Sequence, residues 1–176
     1  MSETKKLDKR NVIDHYKYWD HEAIIADQDK NRSEMIIACE NFANDFNIAS
    51  VIRSSNAFLC KKVYVIGFKK FDRRGCCGSY KYEHLENVES FSNVILDNPE
   101  HVPIALDNID NAKNIYDFSW PKKVILLLGQ ESVGISSESL KLCKDTVYIQ
   151  QFGAVRSLNV SCAATVAMSF YRNQFR

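Results

Sequence analysis

Several features that would quickly fix a function class are missing from this sequence. No apolar run approaches the roughly 20 residues that a membrane-spanning helix needs, and the opening residues, MSETKKLDKR, lack the charged, apolar and small-residue regions of a secretory signal. A cytoplasmic protein with no membrane partner is expected. The six cysteines (Cys39, Cys60, Cys76, Cys77, Cys143, Cys162) show no C-x-x-C pairing and sit largely in apolar segments, and the four histidines have no ligand spacing, so reduced core thiols and no metal are expected. There is no G-x-G-x-x-G, no phosphate-loop lysine and no visible internal repeat, which leaves a dinucleotide or ATP site without its usual support. An excess of one charge is missing too: 23 Lys and Arg stand against 22 Asp and Glu, so the overall balance predicts no polyanionic partner.

The distribution of charge says more than its sum. From Lys61 to Tyr82 there are seven basic residues, among them Lys69, Lys70, Arg73, Arg74 and Lys81, against the single acid Asp72. From Glu83 to Ser119 eight acids stand against Lys113 alone. Such asymmetry marks either a solvated face or a nucleic-acid footprint. Tyr80 and Tyr82 interleave with the cations, as stacking platforms for unpaired bases do, so the segment is read as a candidate RNA contact.

At 20.2 kDa, 45% hydrophobic and 26% charged, the chain suits one globular domain with a real core. Residues 1–33 are mixed in charge, with Val12, Ile13, Tyr16 and Trp19 on one face of a short helix. They read as an N-terminal extension packed on a main domain of residues 34–176. Strands are predicted at Met35–Cys39, Val63–Gly67, Ile104–Leu106, Val124–Leu128 and Val147–Ile149. Helices are predicted over Ile48–Leu59, capped by Asn47, over Leu85–Leu96 with weaker periodicity, over Asp110–Phe118, and over Ser136–Cys143. Short apolar strands alternating with helices argue for an α/β fold, a mainly parallel sheet with helices on both faces. Ligands in such sheets bind beyond the carboxyl ends of the strands, where residues 40–47, 129–135 and 150–156 should gather.

The final strand leads through a polar loop into a long run, Leu158 to Tyr171, with almost no polar face. Such a helix must be covered on most sides, in the core, in a subunit interface or in both. Ser157 is its expected N-cap. Arg156, Ser157, Asn159 and Ser161 cluster at its start, where free amides favour electron-rich ligands.

Three segments then belong together: NDFNIASVIRSSNAF (44–58), LLLGQESVGIS (126–136) and IQQFGAVRSLNVSCAA (149–164). In this order and spacing they resemble the three motifs of the SpoU, or TrmH-like, family of RNA 2′-O-ribose methyltransferases within the SPOUT superfamily, over about Met35 to Tyr171. The resemblance implies a C-terminal deep trefoil knot, a homodimer, and S-adenosylmethionine as cofactor, held by Leu106, Gly129, Ile149, Ser157 and Leu158. It places the motif arginine on Arg53, with the motif asparagine at Asn47 in support, the motif glutamate on Glu131 and the SLN asparagine on Asn159. The chain departs from the pattern at Gln130, where Asn is usual, and at Gln150, where Pro is usual. Losing that proline should loosen the loop.

The implied reaction is displacement at a sulfonium methyl by a ribose 2′-hydroxyl, which a dry, oriented site favours. Guanidinium groups are poor proton acceptors. Arg53 is therefore assigned to gripping a neighbouring phosphate and the developing alkoxide, with Glu131 and Asn159 bracing it. A tRNA substrate is favoured over rRNA. The alternatives are a base methyltransferase of the same superfamily and an RNA-binding relative without cofactor. A generic nucleotide-binding α/β domain would need a phosphate loop that the chain lacks.

Overall fold

The structure, a computed structural model, describes residues 7–40, 45–67, 70–130 and 132–175. Glu131 and Lys69, both singled out above, lie outside the described residues.

A seven-stranded sheet runs in the order β3-β2-β1-β6-β4-β7-β5. Its strands are β1 (Met35–Glu40), β2 (Lys62–Ile66), β3 (Leu85–Val88), β4 (Val102–Leu106), β5 (Lys113–Asn114), β6 (Val124–Leu128) and β7 (Asp145–Tyr148). Every pairing between these strands is parallel. The alternation of side chains along β1 and β6 explains why both are apolar throughout. Met35, Ile37, Cys39, Val124, Leu126 and Leu128 face one core, which also takes in residues of α2 (Asp45–Ala57) and α5 (Val160–Gln174). Ile36, Ala38, Ile125 and Leu127 face the other, built with α3 (Phe91–Asp97) and Leu140 of α4 (Ser137–Lys141). A strand buried on both faces has no polar side to show.

The predicted central strands are found nearly in place, but three helix expectations need correction. Leu85–Leu96 is not one helix. It divides into edge strand β3 and helix α3, with Ser90 capping the helix through a reciprocal box with Asn93. Asp110–Phe118 is a turn followed by β5, only two residues long at the opposite edge. At the N-terminal end, Val12 to Trp19 holds only a short 3-10 turn, and the helix there is instead α1 (His21–Asp29), whose Ile24 is fully buried. Just beyond it, Arg32 donates to the Tyr82 and Cys60 carbonyls and to the Glu83 carboxylate.

Two caps also differ from expectation. Helix α2 begins before Asn47, so Asn47 lies within its first turn rather than preceding it. Asn159, not Ser157, caps α5: its Oδ1 accepts from the Ser161 and Cys162 amides, and Ser157 belongs to the exposed loop. Helix α5 buries Ala164, Ala167, Met168 and Tyr171 on one side only, leaving Cys162, Ser169 and Asn173 exposed. The thiols divide likewise. Cys39, Cys60 and Cys76 are buried, whereas Cys77 and Cys162 are exposed.

Candidate active site at the carboxyl edge of the sheet

Strands β4, β6 and β7 end side by side, and the chain leaving each of them turns around one cavity of about 160 Å³. Leu106, Gly129, Ile149, Ser157 and Leu158 all line it. Val160 and Ala163 of α5 add apolar wall, and Asp107, Asn108, Gln130 and Gln151 add polar groups.

The loop after β6 is folded back on itself. Gln130 and Gly134 exchange backbone hydrogen bonds of 3.0 and 2.8 Å. Gly129 tolerates this only without a side chain, because a Cβ there would stand 2.4 Å from the Gly134 carbonyl carbon and the Ile135 nitrogen. Gly134 has φ +73°, and a Cβ on it would meet Asp107 Oδ2 at 2.9 Å. Asp107 Oδ2 in turn accepts from the Ile135 amide at 3.2 Å, locking the end of β4 to this loop. Gln130, where the motif usually has Asn, keeps its amide at work: Nε2 donates to Ser132 Oγ at 3.1 Å.

The loop after β7 is the outer wall. It is held by Asn108 Nδ2 donating to the Arg156 carbonyl at 3.2 Å and by Asn114 Nδ2 donating to Gln150 Oε1 at 3.1 Å. Gln150 thus supplies a tether where the motif's proline would supply stiffness. Between these ties the loop presents Phe152 and Val155 to solvent at 86% and 66% exposure.

Asn159 and Asn47 meet. Asn159 Nδ2 donates to Asn47 Oδ1 at 3.0 Å, joining the start of α5 to the first turn of α2. With its oxygen committed to the cap and its nitrogen to Asn47, the Asn159 carboxamide braces the helix pair and not Arg53. Ser54 Oγ and Thr165 Oγ1, 2.7 Å apart, tie the same two helices further along.

Arg53 does not line the cavity. It stands on the exposed side of α2, where Nη1 donates to Cys77 Sγ at 3.3 Å. The basic segment, two 3-10 turns (Arg73–Cys76 and Ser79–Lys81), packs on this helix. Gly75 makes the approach possible, since a Cβ there would lie 2.7 Å from Ala49 Cβ. Lys70, Arg73, Arg74 and Lys81 are all exposed. Arg74 forms a forked pair with Asp72, and the Arg73 guanidinium lies 5.0 Å from the centre of the Tyr80 ring. Among the described residues no carboxylate pairs with Lys70, Arg73 or Lys81. Tyr82 is not a stacking platform: it is 5% exposed and its ring meets His21 edge-on.

Sequence reasoning missed Asp107 and Gln151. Asp107 directly follows Leu106, at the end of a correctly read strand, where a carboxylate is a signal in itself. Gln151 was hidden by its neighbour Gln150, which drew notice as the departure from proline. Among the described residues no group of three or more His, Cys, Asp or Glu side chains is placed to hold a metal ion, and no helix is long and apolar enough to cross a membrane.

A parallel α/β sheet whose ligand cavity is walled by loops following neighbouring strands defines the class of protein. Within that class the chain belongs to the SpoU rRNA Methylase family, whose sequence model matches residues 34–169. It is 24% identical over 146 residues to the tRNA (guanosine(18)-2'-O)-methyltransferase of Aquifex aeolicus, covering 80% of this chain and 69% of that one. The SpoU methyltransferase AviRb from Streptomyces viridochromogenes, solved in complex with the cofactor AdoMet, superposes with a TM-score of 0.74 at 25% identity, over 85% of this chain and 64% of that one. The fold is also that of the A. aeolicus TrmH/SpoU tRNA modifying enzyme, with a TM-score of 0.78 at 21% identity, over 88% of this chain and 81% of that one. The chain thus spans roughly two-thirds of the length of the A. aeolicus and AviRb relatives, 69% and 64%.

Proposed function

We propose that this protein is an S-adenosylmethionine-dependent RNA methyltransferase that acts on a ribose 2′-hydroxyl, with tRNA as the favoured substrate. The observation that carries the reading is convergence. Five positions scattered from Leu106 to Leu158, assigned to the cofactor through motif resemblance, line a single cavity. The named activity of the A. aeolicus relative and the AdoMet complex of AviRb point the same way.

The residues present fit such a ligand. Aliphatic walls at Leu106, Ile149 and Leu158 suit a purine face, and the cavity also holds a carboxylate, Asp107, and a buried acceptor with no donor among the described residues, Gln151 Oε1. When bound, S-adenosylmethionine supplies the electrophilic methyl group. The chain's own part is to exclude water, through the folded-back loop after β6, and to orient the two reactants. Arg53 would hold an RNA phosphate and stabilise the alkoxide as it develops. Glu131 is assigned by motif to the same centre. Lys70, Arg73, Arg74 and Lys81 are exposed, the last three in the 3-10 turns that pack on α2, next to the Cys77 that Arg53 contacts, and Lys69 adjoins Lys70 in sequence. These cations would draw in the RNA backbone.

We further infer a homodimer and a C-terminal trefoil knot in a cytoplasmic protein, with residues 1–33 as an extension to the methyltransferase domain. The dimer is supported by Arg53 standing outside the cavity of its own subunit and by the exposed Phe152 and Val155 on the rim. The knot is supported by the match to the SpoU family over residues 34–169. The test is incubation with methyl-labelled S-adenosylmethionine and bulk tRNA or rRNA, followed by nuclease mapping of alkali-resistant linkages. Label in 2′-O-methyl nucleotides of tRNA is expected. Label on a base would favour the base-methylating alternative, and absence of cofactor binding would favour the RNA-binding one.

A further inference from the structure

One carboxamide oxygen in the cavity wall lacks a donor among the described residues. Gln151 lines the cavity, and its Oε1 is buried with no hydrogen-bond donor among the described residues. The Oε1 of its neighbour Gln150, by contrast, accepts from Asn114 Nδ2 at 3.1 Å. A buried acceptor left unpaired is destabilising, and native structures hold few of them, so each calls for an explanation.

Resting on the cofactor reading above, we propose that Gln151 reads the adenine edge of S-adenosylmethionine, its side-chain oxygen accepting from the exocyclic amino group. The ligand offers three kinds of donor. Its cationic ammonium is better matched by a carboxylate, which Asp107 places on the same wall. Its ribose hydroxyls each carry an oxygen that wants a donor as well. The adenine amino group is neutral, donates only, and belongs to a flat ring that needs apolar walls such as Leu106, Ile149, Val160 and Ala163. A carboxamide also sets a donor beside its acceptor, the pattern that adenine's amino group and adjacent ring nitrogen complement. A site built to pair with a buried polar group rejects analogues lacking it, so Gln151 is a specificity-determining residue.

The test is a cycle of two proteins and two ligands, read by calorimetric titration. S-adenosylhomocysteine and its 6-deamino purine analogue are titrated into the wild type and into Gln151→Leu. The wild type should bind S-adenosylhomocysteine about tenfold more tightly than the analogue, the scale of one buried hydrogen bond. Gln151→Leu should lose that preference, binding both ligands with similar affinity. Gln151→Glu, which keeps an acceptor, should retain part of the preference and guards against a folding defect in the leucine variant. If Gln151→Leu keeps the wild-type ratio, the assignment is wrong. If cofactor affinities are untouched and RNA binding weakens instead, Gln151 belongs to the RNA site. Failure of the wild type to bind either ligand would remove the cofactor reading itself, and this role with it.

Discussion

Arg53 and Asn159 share a motif assignment, and the structure places them in different surroundings. Arg53 carries an exposed guanidinium that donates to the Cys77 thiol, which leaves its charge available to an RNA phosphate. Replacing Arg53 with Ala should abolish methyl transfer while calorimetric affinity for S-adenosylhomocysteine persists, because the side chain does not line the cavity. Retained turnover would remove Arg53 from the mechanism. Asn159 instead closes the start of α5 and reaches Asn47. Asn159→Ala should therefore lower unfolding stability by about 1–2 kcal/mol, the range for losing a helix cap. Asn159→Asp, which preserves the capping oxygen, should be milder in denaturant titration. Equal losses for the two variants would count against the cap as the main role.

At the level of elements, what the sequence discloses follows burial. Strands β1 and β6 are buried on both faces, so their composition is unambiguous, and both were read almost to the residue. Strands β3 and β5 lie at the edges, and their polar residues (Glu86 and Asn87, Lys113) imitate a loop or a weakly periodic helix. Helix α1 was hidden for a different reason: its apolar residues Ala23 to Ala26 run consecutively and show no period. The cavity positions came from motif order; the fold-back at Gly129 and the pairing of Asn47 with Asn159 did not, since neither leaves a periodic trace.

The α1 end of the molecule also carries a titration that the sequence could not announce. Burial pushes the Glu83 carboxyl up to about 7, against the opposing pull of Arg32 and Asn56, with Asp29 adding to the rise. A carboxyl with a raised folded pKa leaves the native state holding more protons than the unfolded one. Its stabilising contribution is present at low pH and lost as pH climbs from about 4.5 to 7. His101 works in the opposite sense: burial, with Lys61 and Lys123 nearby, lowers its pKa from 6.5, so stability is lost as pH falls through that region. The two partly cancel in the wild type. Glu83→Gln removes only the first, so relative to the wild type the variant should gain stability between pH 5 and 7.5 in denaturant titrations. A difference that stays flat across that interval would contradict this account.

For the whole molecule, the decisive fact is that the chain does not line its own cavity with Arg53. Arg53 lies on the exposed side of α2 and the basic 3-10 turns pack on that helix, whereas the cavity opens at the carboxyl ends of β4, β6 and β7 beneath a rim carrying Phe152 and Val155. If a second copy covers that rim and presents its arginine, each catalytic centre takes groups from two chains. Two inactive variants should then complement each other. Arg53→Ala leaves a good cavity without its cation, and Ala163→Phe fills the cavity while leaving the cation in place. Each alone should be inactive, the second also failing to bind S-adenosylhomocysteine. Mixed and allowed to exchange subunits, they should regain methyl transfer, because each mixed dimer contains one centre with both intact parts. An arginine acting within its own subunit predicts no recovery at any ratio, since every chain would then carry a defect in its own centre.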